Sequence, residues 1–85
     1  MRKVRGLMNG LVFCDLCVEI CLTKHNDPEA DPTCRTARYM LPDEYEMMSD
    51  KQTKEMFCAL FGKTVEITIN DMERIADIKT AETTP

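Results

Sequence analysis

The clearest hydrophobic pattern in the chain is the alternation at residues 64–69. Three apolar residues are separated by polar ones in the run Thr-Val-Glu-Ile-Thr-Ile. This period of two, in residue types that strands prefer, predicts a β-strand. An isolated strand leaves its backbone groups unpaired, so a second segment must lie beside it. The candidates are residues 34–41, which alternate over a short stretch, residues 11–22, or another copy of the chain.

Residues 11–22 fit two patterns. As a strand, one face holds Leu16, Val18, Ile20 and Leu22, and the other holds Asp15, Cys17, Glu19 and Cys21. As a helix, the segment has an apolar stripe that includes Leu11, Cys14, Val18 and Cys21. Asp15 and Glu19, four residues apart, then share the opposite side, which is typical of a solvated helical face. The helix is therefore the favoured interpretation, and the strand stays open.

A capping box indicates the strongest helix. Ser49 can accept a hydrogen bond from the third amide, and Gln52 can reach back to the amide of Ser49. Gly62 is a typical helix terminator. Between them runs a broad apolar stripe that points to the core. This stripe consists of Met56, Phe57, Leu60 and Phe61.

Two shorter helices are predicted around this one. Pro42 suits a first helical position, and the acids after it suit the positive end of a helix dipole, which predicts a helix over residues 42–48. Asn70 with Glu73 three residues later repeats the capping pattern and predicts a helix over residues 70–78.

These elements predict one α+β domain with two to four short helices and a small antiparallel sheet that includes residues 64–69. A chain of 85 residues is too short for a second core. We expect the compact domain to span residues 1–79 and residues 80–85, which have little to bury, to fray. Only five aromatic residues are present, so a metal, a disulfide or a partner subunit could add stability.

Net charge and hydropathy indicate which kinds of partner the chain can bind and in which compartment it works. The 15 acids outnumber the 11 bases for a net charge of −4, so direct binding of nucleic acid is not expected. The basic, apolar start is similar to a secretory signal, but Asp15 and Glu19 interrupt it. No segment approaches the roughly 20 apolar residues that cross a bilayer. We expect a cytoplasmic protein without membrane association.

The cysteines offer two chemical alternatives. In such a compartment they are thiols or metal ligands, and their odd number of five argues against a closed disulfide framework. Thiolates with one imidazole suit tetrahedral zinc, and the candidate ligands are Cys14, Cys17, Cys21, His25 and Cys34. Their spacing departs from known zinc frameworks, so we expect no cofactor and keep a zinc-stabilised Cys/His module as the alternative.

A thiol redox protein is the second alternative. Cys14 and Cys17 form a Cys-x-x-Cys pair, but Asp15 between them opposes thiolate formation. The three glycines stand apart, so no phosphate-binding loop is present. Paired acids along the chain are better explained as charges at helix starts than as acid and base partners. We therefore expect no enzymatic activity.

The acidic middle of the chain is the predicted binding surface. Residues 26–50 carry seven acids and two bases. Exposed acids steer a basic partner, and flexible methionines make adaptable apolar contacts. The predicted partner-binding residues are Asp43, Glu44, Tyr45, Glu46, Met47 and Met48. The expected partner is a larger basic protein or a nucleoprotein complex, and association with a second copy of the chain is compatible with the same features.

The leading hypothesis is therefore a small non-catalytic protein-binding module. Its size, acidity and lack of a catalytic set are similar in profile to small inhibitors that viruses and mobile elements direct at nucleic-acid machinery. Anti-CRISPR and host-takeover proteins belong to that class. The similarity is one of profile and includes no shared motif.

Overall fold

Five antiparallel strands dominate the fold. The structure, a computed structural model, describes residues 1–81. The strands are β1 (Arg2–Phe13), β2 (Val18–Thr23), β3 (Thr36–Met40), β4 (Thr64–Ile69) and β5 (Ile75–Thr80). Between β3 and β4 lie a 3₁₀-helix (Asp43–Met47), the α-helix α1 (Asp50–Phe57) and a second 3₁₀-helix (Cys58–Leu60). A small domain with an antiparallel sheet that includes residues 64–69 is confirmed. The prediction of two to four helices is wrong, because within the described residues the helical structure is one α-helix and two short 3₁₀ turns.

The sheet is a Greek key. Its strand order is β3-β2-β1-β4-β5, and every neighbouring pair is antiparallel. The first half of β1 pairs with β4 and its second half pairs with β2. Strands β1 to β3 succeed one another across the sheet, and β4 returns through α1 to lie beside β1, which is the Greek-key connection. A parallel bridge between Met40 and Arg74 joins the end of β3 to the start of β5. The sheet therefore curls into a partly open barrel.

The core fills the inside of this barrel. Alternate residues of the central strands are fully buried, including Val4 and Met8 of β1, Ile20 and Leu22 of β2, and Val65 and Ile67 of β4. Phe57 of α1 packs onto them with only 4% of its surface exposed, and its ring lies 5.7 Å from that of Tyr45. The helix thus covers the core through one aromatic side chain.

The capping box forms as predicted, but the helix is shorter. The Ser49 hydroxyl accepts from the amide of Gln52 at 3.2 Å, and the Gln52 side chain accepts from the amide of Ser49 at 3.2 Å. The α-helix ends at Phe57, and the chain turns at Gly62, whose φ of 79° is accessible to glycine at little cost. Of the predicted stripe, Phe57 is buried and Leu60 is partly buried against the core, whereas Met56 and Phe61 are exposed.

The favoured helix over residues 11–22 is wrong, and the strand interpretation is right. Phe13 ends β1 and Val18 begins β2, with a tight turn between them. Asp15 lies in this turn and Glu19 lies on the outer face of β2. The spacing of four residues between the two acids therefore does not indicate a helix. Pairing on both sides of β2 supplies backbone hydrogen bonds that a local pattern does not reveal.

The predicted helix over residues 70–78 is also wrong. The Asn70 side chain accepts from the amides of Met72 and Arg74, which closes a turn that leads into β5. Asn stabilises turns of this kind as readily as helix starts. The predicted strand within residues 34–41 is present as β3.

The predicted boundary between residues 79 and 80 falls inside β5. Thr80 is the last residue of this strand, and Ala81 is buried and donates its amide to the carbonyl of Thr64 at 2.9 Å. The rest of the predicted tail, residues 82–85, lies outside the described residues.

Gly6 marks a close approach between β1 and the end of β2. A Cβ atom at this position would lie 3.0 Å from the Leu22 Cβ and 3.1 Å from the His25 Cβ. We predict that Gly6→Ala lowers the free energy of unfolding by roughly 1–3 kcal/mol, the usual cost of overpacking. Gly10→Ala is the matched control, because a Cβ there meets nothing within 4 Å. Urea unfolding measures both, and equal effects would contradict this account of Gly6.

Phe57 tests how α1 is attached. We predict that Phe57→Ala costs about 3–5 kcal/mol of unfolding free energy, as for other buried aromatic residues. The neighbouring Met56, which is 53% exposed, is the control, and Met56→Ala should stay within about 0.5 kcal/mol of the original chain. Chemical denaturation followed by circular dichroism gives both values. A small effect of the Phe57 variant would show that α1 contributes little to the core.

Candidate functional site

An ion cluster around the buried carboxylate of Asp27 lies at the start of β1. The Asp27 side chain, only 1% exposed, accepts from Arg2 Nη2 at 3.3 Å and from the Tyr39 hydroxyl at 2.8 Å. Arg2 Nη1 also contacts carboxylate oxygens of Glu29 and Glu73, each at 2.9 Å. Arg2 Nε is buried without a hydrogen-bond partner among the described residues. The cluster links β1, the loop before β3, β3 itself and the turn before β5.

The ionisation of this cluster depends on its contacts. Burial by itself would raise the pKa of Asp27, but hydrogen bonds from the Glu29 amide, the Tyr39 hydroxyl and Arg2, with the charge of Arg2, hold that pKa below its usual value. Burial, together with the hydrogen bond to the Asp27 carboxylate and its negative charge, raises the pKa of Tyr39. Asp27 is therefore a carboxylate and Tyr39 a neutral hydroxyl near neutral pH.

A second arginine engages part of the predicted binding segment. Arg74 Nη1 lies 2.6 Å from Asp43 Oδ1 and 3.4 Å from Glu46 Oε1, and it donates to the Leu41 carbonyl at 3.0 Å. Two of the predicted partner-binding acids are thus partly neutralised within the chain. They fasten the 3₁₀-helix to the turn before β5.

The remaining predicted partner-binding residues differ in exposure. Tyr45 is partly buried against Phe57. Met48 is half-buried, whereas Glu44 is exposed and Met47 is 91% exposed. The free part of the segment is therefore Glu44 and Met47.

A groove runs along the outer edge of β3. It has a volume of about 480 Å³ and lies between the loop after β2 and the turn that precedes β5. Strand β3 forms one wall through all five of its residues. The charged lining residues are five acids and two bases: Glu19, Asp27, Glu29, Asp31, Glu73, Arg2 and Arg38. The sequence indicated a local acidic segment, but this groove combines residues from distant parts of the chain.

The β1–β2 hairpin brings together part of the predicted zinc set. Cys14 and Cys17 flank its tight turn, and the Cys14 amide donates to the Cys17 carbonyl at 2.9 Å. With Glu19 they form a group whose ligand atoms all lie within 4.8 Å of one another. Cys17 directly precedes β2, and Glu19 is the second residue of that strand. Glu19 was not among the predicted ligands, although the strand interpretation of residues 11–22 puts it beside Cys17.

The other predicted ligands lie elsewhere in other roles. Cys21 is buried in β2 opposite Arg38. His25 Nδ1 accepts from the Asp27 amide at 3.3 Å, and the Cys34 thiol contacts the Thr36 carbonyl at 2.9 Å. All five cysteines are free thiols. The structure therefore does not bring Cys21, His25 and Cys34 into the hairpin group.

The environment of Cys14 bears on the redox alternative. The hydrogen bond with Cys17, partial desolvation and the negative charges of Cys17 and Glu19 all raise the pKa of the Cys14 thiol. Reactive redox cysteines have lowered pKa values, because the thiolate is the nucleophile. The contacts at this hairpin act in the opposite direction.

No helix within the described residues is long and apolar enough to cross a membrane.

Comparison of the chain with protein-family models, with curated proteins and with solved structures gave no match.

The buried carboxylate of Asp27 predicts an acid-sensitive fold. Because the pKa of Asp27 is lowered by folding, its contribution to stability is present above the unfolded pKa of about 3.9 and is lost as the pH falls through the folded value. Asp27→Asn should cost roughly 1–3 kcal/mol at neutral pH. Its unfolding free energy should also fall less than that of the original chain below about pH 4.

Urea unfolding at pH 7 and pH 3 measures the difference. Asp77→Asn, which removes an exposed carboxylate of β5, is the control and should behave as the original chain does. Parallel pH profiles for the original chain and Asp27→Asn would contradict the role given to Asp27.

Proposed function

We propose that the chain is a non-catalytic binding domain that takes an extended basic segment of a partner protein into the groove along β3. The observation that carries the proposal is the groove itself, with five carboxylates and two guanidinium groups around a volume of about 480 Å³. The partner class agrees with the basic protein expected from the acidic residues of the 26–50 segment.

The architecture supports a binding role. A five-stranded, partly open Greek-key barrel is the form of the OB-fold, which binds its ligands on the face of the second and third strands and on neighbouring loops. The groove lies at the corresponding place, beside β2 and β3 and against the turn between β4 and β5. A fold alone does not define a function, so the partner class is inferred from the charges of the groove.

Those charges favour a cation over a nucleic acid. Barrels that bind single strands combine a positive groove with exposed aromatic rings for stacking on bases. Here the acids of the groove outnumber the bases, and the aromatic lining residue Tyr39 is buried with its hydroxyl on Asp27. An acidic groove repels phosphate and attracts lysine and arginine side chains.

Strand β3 suits an extended ligand. It is the last strand of the sheet on its side, and a bridge from Met40 to Arg74, the residue before β5, joins it to the other end of the sheet. An edge strand offers backbone groups to an added strand, and pockets beside it select alternate side chains of the ligand. Glu29 and Asp31 are the exposed acids of the groove loop, and a basic ligand there would meet Asp31 directly and compete with Arg2 for Glu29.

This mode of binding leads to an inhibitory role. Basic segments are what nucleic-acid-binding proteins present to phosphates. A segment held in the groove is withdrawn from nucleic acid, so the chain would compete with DNA or RNA for its partner. Such competition is the mechanism that we propose for a small inhibitor of the viral or mobile-element class with this fold.

The test uses fluorescent peptides of alternating lysine and apolar residues. We predict binding that weakens as salt rises and that drops at least about tenfold for the double variant Glu29→Lys with Asp31→Lys, a loss of about 1.4 kcal/mol. The matched control, Glu55→Lys with Asp77→Lys, makes the same change of charge at exposed positions outside the groove lining. A peptide with proline at alternate positions should bind more weakly, because proline lacks the backbone donor of an added strand.

Two results would overturn the proposal. One is equal loss of peptide binding in the groove and control variants. The loss would then follow from the change in net charge and not from the groove. The other is tighter binding of a single-stranded oligonucleotide than of the peptide at the same salt concentration.

The segment of residues 43–48 is a second candidate for the same class of partner. It is favoured by the high exposure of Met47 beside the exposed Glu44. The double variant Glu44→Lys with Met47→Ala separates the two surfaces. If it reduces peptide binding and the groove variant does not, the binding site is this segment.

A further inference from the structure

The tip of the β1–β2 hairpin carries two cysteines that the proposed function does not use, close to Glu19, which also lines the groove. The Cys14 amide donates to the Cys17 carbonyl across the turn, and Glu19, the second residue of β2, follows two residues after Cys17. The Cys14 sulfur lies 3.6 Å from Glu19 Oε1. Glu19 has no ion-pair partner among the residues the structure describes.

We propose that Cys14, Cys17 and Glu19 bind one zinc ion per chain, with a fourth coordination position open to solvent. Two sulfur ligands and one carboxylate are a donor set that zinc accepts and that magnesium and calcium do not favour. The inference rests on the hairpin alone and does not depend on the groove binding a peptide.

The geometry is close to that of a tetrahedral site. With Zn–S and Zn–O distances of about 2.3 and 2.1 Å, neighbouring ligand atoms of a tetrahedron are about 3.5–3.8 Å apart. The Cys14 sulfur and the Glu19 oxygen already have this separation, at 3.6 Å. All three ligand atoms are within 4.8 Å of one another, so the remaining adjustment is about 1 Å. Side-chain rotation at an exposed turn supplies a movement of this size.

The fold explains why the sequence spacing was misleading. The predicted set treated residues 14–34 as a local framework of four or five ligands. In the hairpin, the turn aligns Cys14 with Cys17, and the period of two adds Glu19 as the third donor. The fourth position faces solvent because Cys14 is exposed and the neighbouring Leu16 is 81% exposed.

Zinc at this place would act locally. The buried core contains neither Cys14 nor Cys17, so the barrel does not depend on the metal for its packing. The ion would cross-link the end of β1 to the start of β2. The site therefore differs from the zinc-stabilised module considered from the sequence, in which the metal supplies the folding energy.

The test is a titration of the full chain with Co²⁺ under a reductant that is not a thiol, and then displacement with Zn²⁺. We expect one ion per chain and thiolate-to-cobalt charge-transfer absorption. Cys14→Ser and Cys17→Ser should each weaken binding by at least about 100-fold, more than the loss of a supporting group costs. The matched control is the double variant Cys34→Ser with Cys58→Ser, which removes two exposed thiols outside the hairpin and should bind as the original chain does.

A second measurement needs no variant. Zn²⁺ should protect Cys14 and Cys17 of the original chain from alkylation, as read by peptide mass spectrometry, and leave Cys34 and Cys58 reactive. Absence of charge-transfer absorption, equal loss in the control variant, protection of a different pair, or one ion per two chains would each overturn the proposal. Peptide binding by Cys14→Ser distinguishes the two sites, because failure of the metal site leaves the groove intact.

Discussion

The fold depends on the pairing of one strand with two partners. β1 gives its first half to β4 and its second half to β2, and the two ladders meet at Leu7, which pairs with Thr64 of β4 and Thr23 of β2. At the junction, Met8 donates its amide to the Lys63 carbonyl and accepts from the Gly62 amide. This double use of β1 places the Greek-key strands around one core. It also places both candidate sites, since Arg2 at one end organises the groove and Phe13 at the other leads into the cysteine hairpin.

Ion pairs hold the loops and turns that the hydrogen bonds of the sheet do not include. Arg2 and Arg74 each collect carboxylates from segments that are far apart in the sequence. Arg2 joins the loop before β3 to the turn before β5, and Arg74 joins that turn to the 3₁₀-helix. An acidic chain can assemble in this way because a few guanidinium groups each serve several acids. The acids of the groove outnumber its arginines, so the net charge of the groove lining is negative.

The sequence predicts those elements whose signals are local. The alternation of β4 and the capping box at Ser49 each lie within a few residues, and both were confirmed. Residues 11–22 were ambiguous because the same apolar positions suit a helix and a strand. The choice is made by hydrogen bonds to β1 and β3, which no local pattern contains. At Asn70 the side chain that can cap a helix closes a turn, since β4 pairs with residues 75–80 as a strand.

The candidate sites show the same division. That Glu19 lies close to Cys17 follows from their spacing of two residues, once an extended chain is accepted there. The contacts of Arg2 with Asp27 and Glu73 cannot be predicted from sequence spacing. The three residues are far apart in the chain, and only the folded sheet brings them together. The predicted segment of residues 43–48 was found from its composition, but composition does not reveal that Arg74 occupies two of its acids.

The two-sided pairing of β1 also governs when the chain can fold during its synthesis. Arg2, near the start of the chain, lies opposite Ile69 at the end of β4. Strands β1 to β3 leave the ribosome before β4, so the first half of β1 lacks its β4 partner in the meantime. Contacts between such distant residues slow folding, and unpaired strand edges favour association with other chains in the meantime. The barrel is therefore completed only after β4 and β5 have been made, and the finished barrel covers the edge of β1 that is open until then.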